Sequence, residues 1–159
     1  MEERVKAALA KFEEGYDCSH AILGAYADLF DFDEKSMEMI RRPCGPMTGA
    51  PVGVCGAVLG ALKALGQQLK NEKAAGRETR KKSEMIREFR ERFEKIYGTV
   101  SCTELLGEDI TTPDGQFAAM DKDLFRTRCV GFITDAAKIL EDLIQLEKTV
   151  EERESFPAG

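Results

Sequence analysis

Apolar residues along the chain recur at spacings of three and four, the period of a helix with one buried face, and no convincing strand alternation appears. Val5, Leu9 and Phe12 form the first stripe, which Gly15 ends. Ala21, Ile22, Ala25, Tyr26, Leu29 and Phe30 predict a second helix. Asp17 stands where its carboxylate would cap that helix by accepting a free backbone N–H. A short third helix is expected over 34–41. The pattern then breaks, because 43–53 holds three prolines and three glycines and cannot propagate a helix. Helical spacing returns over 53–69, gives way to a polar connection expected to be mobile over 71–82, and resumes with Met85, Ile86, Phe89, Phe93 and Ile96 up to Gly98.

Two further features complete the helical reading. Ser101-Cys102-Thr103-Glu104 matches a capping box opening a short helix through Leu106, with Gly107 as its stop. After a turn-rich connection over 108–116, a long last helix is expected over 121–151. Phe125, Cys129, Phe132, Ile133, Ala136, Leu140 and Leu143 would face inward along it. The tail 156–159 is expected to fray. The fold class is therefore all-α, a single-domain helical bundle of about five to six helices over 1–159 with a long C-terminal helix. Gly53, Gly56, Ala57, Gly60, Ala61 and Ala64 add a face of small residues to the central helix. Glycine inside a helix costs roughly 1 kcal/mol against alanine, so such a face suggests close approach of another backbone or a cofactor. For Gly60 the reading is close helix packing.

Composition and charge narrow the function classes. With 43% hydrophobic and 33% charged residues the chain has an ordinary globular mix. A net charge of −6 argues against nucleic acid as the main partner, because phosphate binding needs a basic surface. The basic run from Arg77 to Lys82 sits among Glu72, Glu78 and Glu84 and reads as a solvated loop and helix start. The first residues are charged, with no apolar leader, and no apolar run is long enough to insert in a membrane. The expected compartment is the cytoplasm, where thiols are kept reduced.

In that setting the five cysteines are the candidate chemistry. Sulfur reacts as thiolate, and the unpaired N–H groups and dipole of a helix N-terminus favour the charged form. Cys18 falls in the first turn after Asp17, Cys55 in the first turn after the Pro/Gly loop, and Cys102 directly after Ser101. Cys129 is expected inside the last helix on its apolar face, where a buried cysteine often serves as a small hydrophobe. Cys44 lies in the stiff Pro43-Cys44-Gly45-Pro46 turn, either as a partner of Cys55 in exchange or as a bystander. The chain has no C-x-x-C, no haem-attachment C-x-x-C-H and no zinc-finger spacing. The one histidine, His20, is two positions from Cys18 and about 200° around a helix from it. It reads as a surface or partly packed residue facing away from the thiol.

The order Cys18, then Cys55-Gly56-Ala57-Val58-Leu59-Gly60, then Cys102 and Cys129, resembles a family of redox-active proteins named for its signature, C-GCAxxG-C-C. Cys18-Ser19-His20-Ala21, Cys102-Thr103-Glu104-Leu105-Leu106-Gly107 and the glycine-rich loop before Cys55 support the resemblance, which runs from Tyr16 to about Gly131. It implies that Cys18, Cys55, Cys102 and Cys129 are the redox cysteines. Cys44-Gly45-Pro46-Met47-Thr48-Gly49 departs from the family's usual glycine run by adding a cysteine and a proline. The family is also similar to part of the split-Soret cytochromes, a likeness that implies an iron–sulfur cluster as a cofactor held by the same four cysteines.

Three readings stand at this point. In the first, the cysteines exchange disulfides with a redox partner of unspecified identity. In the second, all four converge from separate helices as metal ligands of an iron–sulfur cluster. In the third, they are packing residues of an interaction module, and Ile139, Leu143, Leu146 and Val150 extend an apolar stripe that supports a homodimer.

Overall fold

The computed structural model describes residues 2–30, 35, 53–77 and 79–154. The expected third helix over 34–41, most of the Pro/Gly loop with Cys44, and the tail 156–159 lie outside the described residues. What is described is helical. In chain order the elements are α1 (Glu2–Glu13), α2 (Cys18–Phe30), α3 (Gly56–Ala74), α4 (Lys82–Tyr97), α5 (Cys102–Leu106), α6 (Pro113–Asp121), α7 (Leu124–Thr127) and α8 (Cys129–Glu154). Strand pairing among the described residues is limited to one isolated antiparallel bridge, Val54 with Ser101. No described helix is long and apolar enough to cross a membrane.

The apolar stripes meet in one core. α2 packs against α1 and α3, and α8 lies across α1, α2, α3 and α4. Ile22, Leu23, Tyr26, Leu65, Phe89, Phe93, Ile133, Leu140 and Leu143 are fully buried between them. Burying a large apolar side chain contributes about 1.5–3 kcal/mol, so these contacts dominate what holds the helices together. At the far end of α2, the Arg4 guanidinium donates to the Ala25 carbonyl at 2.6 Å and lies over the Tyr26 ring. Ile139 and Leu143, half of the stripe that suggested a dimer, are buried in the chain's own core. The side chains of Leu146 and Val150 lie outside those described.

At Gly60 the backbones of α2 and α3 approach closely. A methyl group there would stand 2.7 Å from the Ser19 carbonyl oxygen and 3.0 Å from its Cα. Real side chains do not tolerate that distance, so the glycine is required by the neighbouring backbone, as the small-residue face predicts.

Several boundaries differ from expectation, each for a local reason. α3 begins at Gly56 because residues 53–55 are engaged by backbone hydrogen bonds to 100–102. It also runs on to Ala74, so the first part of the polar connection 71–82 is helical. Within the connection expected over 108–116, α6 starts at Pro113 with Thr112 as its cap, the hydroxyl accepting from Gly115 N at 3.1 Å. The long last helix is not continuous from 121. It breaks where Asp123 adopts a left-handed conformation (φ 54°), passes through the single turn of α7, and restarts at Cys129. Ile96 also departs from its stripe and is exposed.

Candidate functional site

All four described cysteines stand at helix starts. Cys18 is the first residue of α2, Cys55 caps α3, Cys102 opens α5 and Cys129 opens α8. The position of Cys129 corrects the expectation of a mid-helix residue. The same break at Asp123 that interrupts the last helix brings this cysteine to a terminus.

Each start is fixed by its own local chemistry. Asp17 caps α2 as expected, its Oδ1 accepting from His20 N at 2.9 Å. Its other oxygen stands 3.4 Å from His20 Nδ1, and the Tyr16 ring packs on the imidazole with centroids 5.4 Å apart. His20 is buried, more fully than the surface or partly packed reading expects, with Asp17 satisfying it locally. At α5 the Ser101 hydroxyl accepts from Glu104 N at 3.4 Å. The capping box closes indirectly, since Ser101 N donates to the Thr99 hydroxyl at 3.0 Å and that hydroxyl donates to the Glu104 carboxylate.

Cys55 and Cys102 are tied through the backbone. Cys55 N donates to the Val100 carbonyl and Cys102 N to the Gly53 carbonyl, both at 2.8 Å, on either side of the Val54–Ser101 bridge. Residues 47 positions apart thus hold the starts of α3 and α5 side by side. The start of α8 is drawn to the same place by Arg128, whose guanidinium donates to the Leu105 carbonyl at 3.1 Å.

The Cys18 and Cys129 thiols lie close enough to interact, and Cys55 lies within electrostatic reach of Cys18. Cys55 and Cys129 are buried, while Cys18 and Cys102 are half-buried. The Cys18 thiol is held well above its ordinary range. The hydrogen bond with Cys129 is the largest cause, followed by burial and by the charges of Cys129 and Asp17. Burial, with a smaller contribution from Cys18, pushes the Cys55 thiol up to about 12. The N–H groups of Val58 and Ala57 act in the opposite direction, as helix-start donors should, and burial outweighs them. The expectation that helix starts would activate these two thiols is therefore corrected.

Sequence reasoning missed Tyr97 and Asp135. Tyr97 donates its hydroxyl to Asp135 Oδ2 at 2.6 Å, and its ring packs between Phe93 and Phe132 at centroid distances of 4.8 and 4.9 Å. Burial, the bond to Asp135 and the negative charges of Asp135 and Cys55 raise the phenol above its usual range, which places the hydroxyl near the thiol site. Tyr97, Glu104, Arg128 and Phe132 line a cleft of about 480 Å³ beside the starts of α5 and α8. The Tyr97–Asp135 pair spans 38 residues and carries no sequence signal of its own.

The donor set does not fit a metal as it stands. No three His, Cys, Asp or Glu side chains among the described residues are grouped to hold a metal ion. What the arrangement supplies is a pair of thiols close together and two more held on adjoining helix starts.

A protein-family model described as "Putative redox-active protein (C_GCAxxG_C_C)" matches residues 16–143. No curated protein and no solved structure matches the chain.

Proposed function

Because the chain belongs to the C_GCAxxG_C_C family of redox-active proteins, we propose that it works by thiol–disulfide exchange, with Cys18 and Cys129 as the pair that forms and releases a disulfide. The observation that carries this reading is the interaction of those two thiols, brought together at adjoining helix starts across 111 residues of sequence. Cys55 and Cys102 belong to the same site and stand by as further sulfurs on adjoining helix starts. The reading places the protein in a compartment that keeps thiols reduced, which the cytoplasm does.

In the exchange the substrate is a disulfide on a partner. Cys18 gives its proton to solvent hydroxide, and the resulting thiolate attacks one sulfur of the partner disulfide. The partner S–S bond breaks, and its leaving thiolate takes a proton from water. Cys129 then gives its proton to solvent hydroxide and its thiolate attacks Sγ of Cys18, which breaks the mixed disulfide and frees the second partner thiolate to take a proton from water. Two electrons pass to the partner, whose disulfide becomes two thiols, and Cys18 and Cys129 become a disulfide. Cys18 is assigned the first attack because its residue is the less buried of the two.

Since the Cys18 thiol is held above its ordinary range, the exchange accelerates as pH rises from neutral through the thiol range. The test is mild oxidation with oxidised glutathione, followed by non-reducing digestion and mass spectrometry. A Cys18–Cys129 linkage, lost in Cys18→Ser and in Cys129→Ser, is the expected result. Exchange in the double variant C18S/C129S as fast as in the parent protein would remove the pair from the mechanism.

A further inference from the structure

The other end of α3 lines an open cleft of about 800 Å³ that the thiol chemistry does not use. At 1.5 Å per helical residue, Lys73 stands about 27 Å along α3 from Cys55. Six cations surround the cleft: Lys70 and Lys73 from α3, Arg77, Arg80 and Lys81 from the connection, and Lys82 at the start of α4. This concentration is unexpected in a chain of net charge −6.

The arginines are engaged. Arg77 pairs with the Glu72 carboxylate, and Arg80 donates to Glu88 at 2.6 Å. Lys70, Lys73, Lys81 and Lys82 have no carboxylate partner among the described residues. Lys82 is also seated against α3, because a methyl group at Gly66 would meet its Nζ at 3.4 Å. Lys81 occupies the cap of α4 and gives its first N–H groups no side-chain oxygen. A lysine at the cap and another in the first turn both oppose the helix dipole, so helix stability does not explain their placement.

We propose that this cleft binds a small, multiply charged phosphate anion of nucleoside polyphosphate size. Four unpaired ammonium groups on one concave surface repel one another until an anion with several charges lies between them. Lysine serves phosphate as a compact point charge, and the cleft volume falls in the range of small-molecule sites. The acidic balance of the whole chain opposes a long polyanion and leaves a short one as the fitting ligand.

The experiment is calorimetric titration of the full chain with inorganic tripolyphosphate and, separately, with ATP, at low and at 0.1 M salt. Both are expected to bind, more weakly at higher salt, with at least a tenfold loss in K70Q/K73Q/K81Q/K82Q and none in the exposed-lysine control K63Q/K95Q. Circular dichroism checks that the quadruple variant keeps its helices. Equal affinity for the two probes assigns recognition to the phosphate chain alone, and tighter ATP binding adds a contribution from the nucleoside. Absence of binding by both at millimolar ligand, or equal binding by the quadruple variant, would overturn the proposal. Tighter binding of polyglutamate than of tripolyphosphate would overturn it in favour of an acidic protein partner.

Discussion

α3 is capped by the buried Cys55 and ends beside exposed lysines, and the helix starts at its two ends are treated differently. At the cysteine end, Asp17 caps α2 and Ser101 caps α5, and Cys55 and Cys129 are drawn out of water. At the basic end, α4 starts from Lys81 with no side-chain cap. Position at a helix terminus therefore does not decide how a group behaves; its access to water does. A helix dipole is worth typically 0.3–1 kcal/mol near the surface. Moving a thiol from its usual value to about 12 corresponds to roughly 4 kcal/mol against ionisation. Burial wins at the cysteine end, whereas the lysines remain hydrated charges.

The largest test of that contrast is alkaline stability. The Cys55 thiol holds its proton more tightly in the folded chain than its ordinary value of 9.0 allows in the unfolded one. Its stabilising effect is complete below pH 9 and falls by about 1.4 kcal/mol per pH unit as pH rises towards about 12. Urea unfolding of the reduced protein should follow this slope, and Cys55→Ala should flatten it after the cavity cost common to every pH is subtracted. An unchanged slope in that variant would mean that burial does not control this thiol.

Close packing at Gly60 comes next. Gly60→Val drives side-chain carbon into the Ser19 backbone and should cost about 3 kcal/mol, a loss of roughly 6–12 °C in thermal midpoint. A drop of only a degree or two would show that the α2–α3 approach is soft. Ser101→Ala removes the cap of α5 and should cost about 1 kcal/mol in chemical denaturation. The smallest effect is expected at the other end, and with the opposite sign. Lys81→Ser supplies α4 with the missing cap and should add about 0.5 kcal/mol of stability while weakening tripolyphosphate binding. A gain in stability with unchanged binding would separate Lys81 from the cleft.

The helical class, the stops at Gly98 and Gly107 and the caps at Asp17 and Ser101 were legible because each depends on neighbouring residues. The interruption before Cys129 was not. Phe125, Cys129 and Phe132 keep helical spacing straight through it, and no proline or glycine stands between 121 and 128. The left-handed turn at Asp123 carries no equally strong local mark. Expected helix starts singled out Cys18, Cys55 and Cys102, and the order of the cysteines, through the family resemblance, added Cys129. Their environment was hidden for a different reason: the burial of Cys55 and the contact of Cys18 with Cys129 are made by helices distant in sequence. Tyr97 and Asp135 were invisible for the same cause. Where His20 was misread, one local contact with Asp17 was enough to permit burial.

At Gly60 main chain rests on main chain, so no rotamer change can widen or narrow the seam between α2 and α3. Core side chains elsewhere are free to be exchanged for others of similar volume while that seam keeps its width. The first turn of α2, and with it the backbone of Cys18, is held in place by the omission of a single carbon atom.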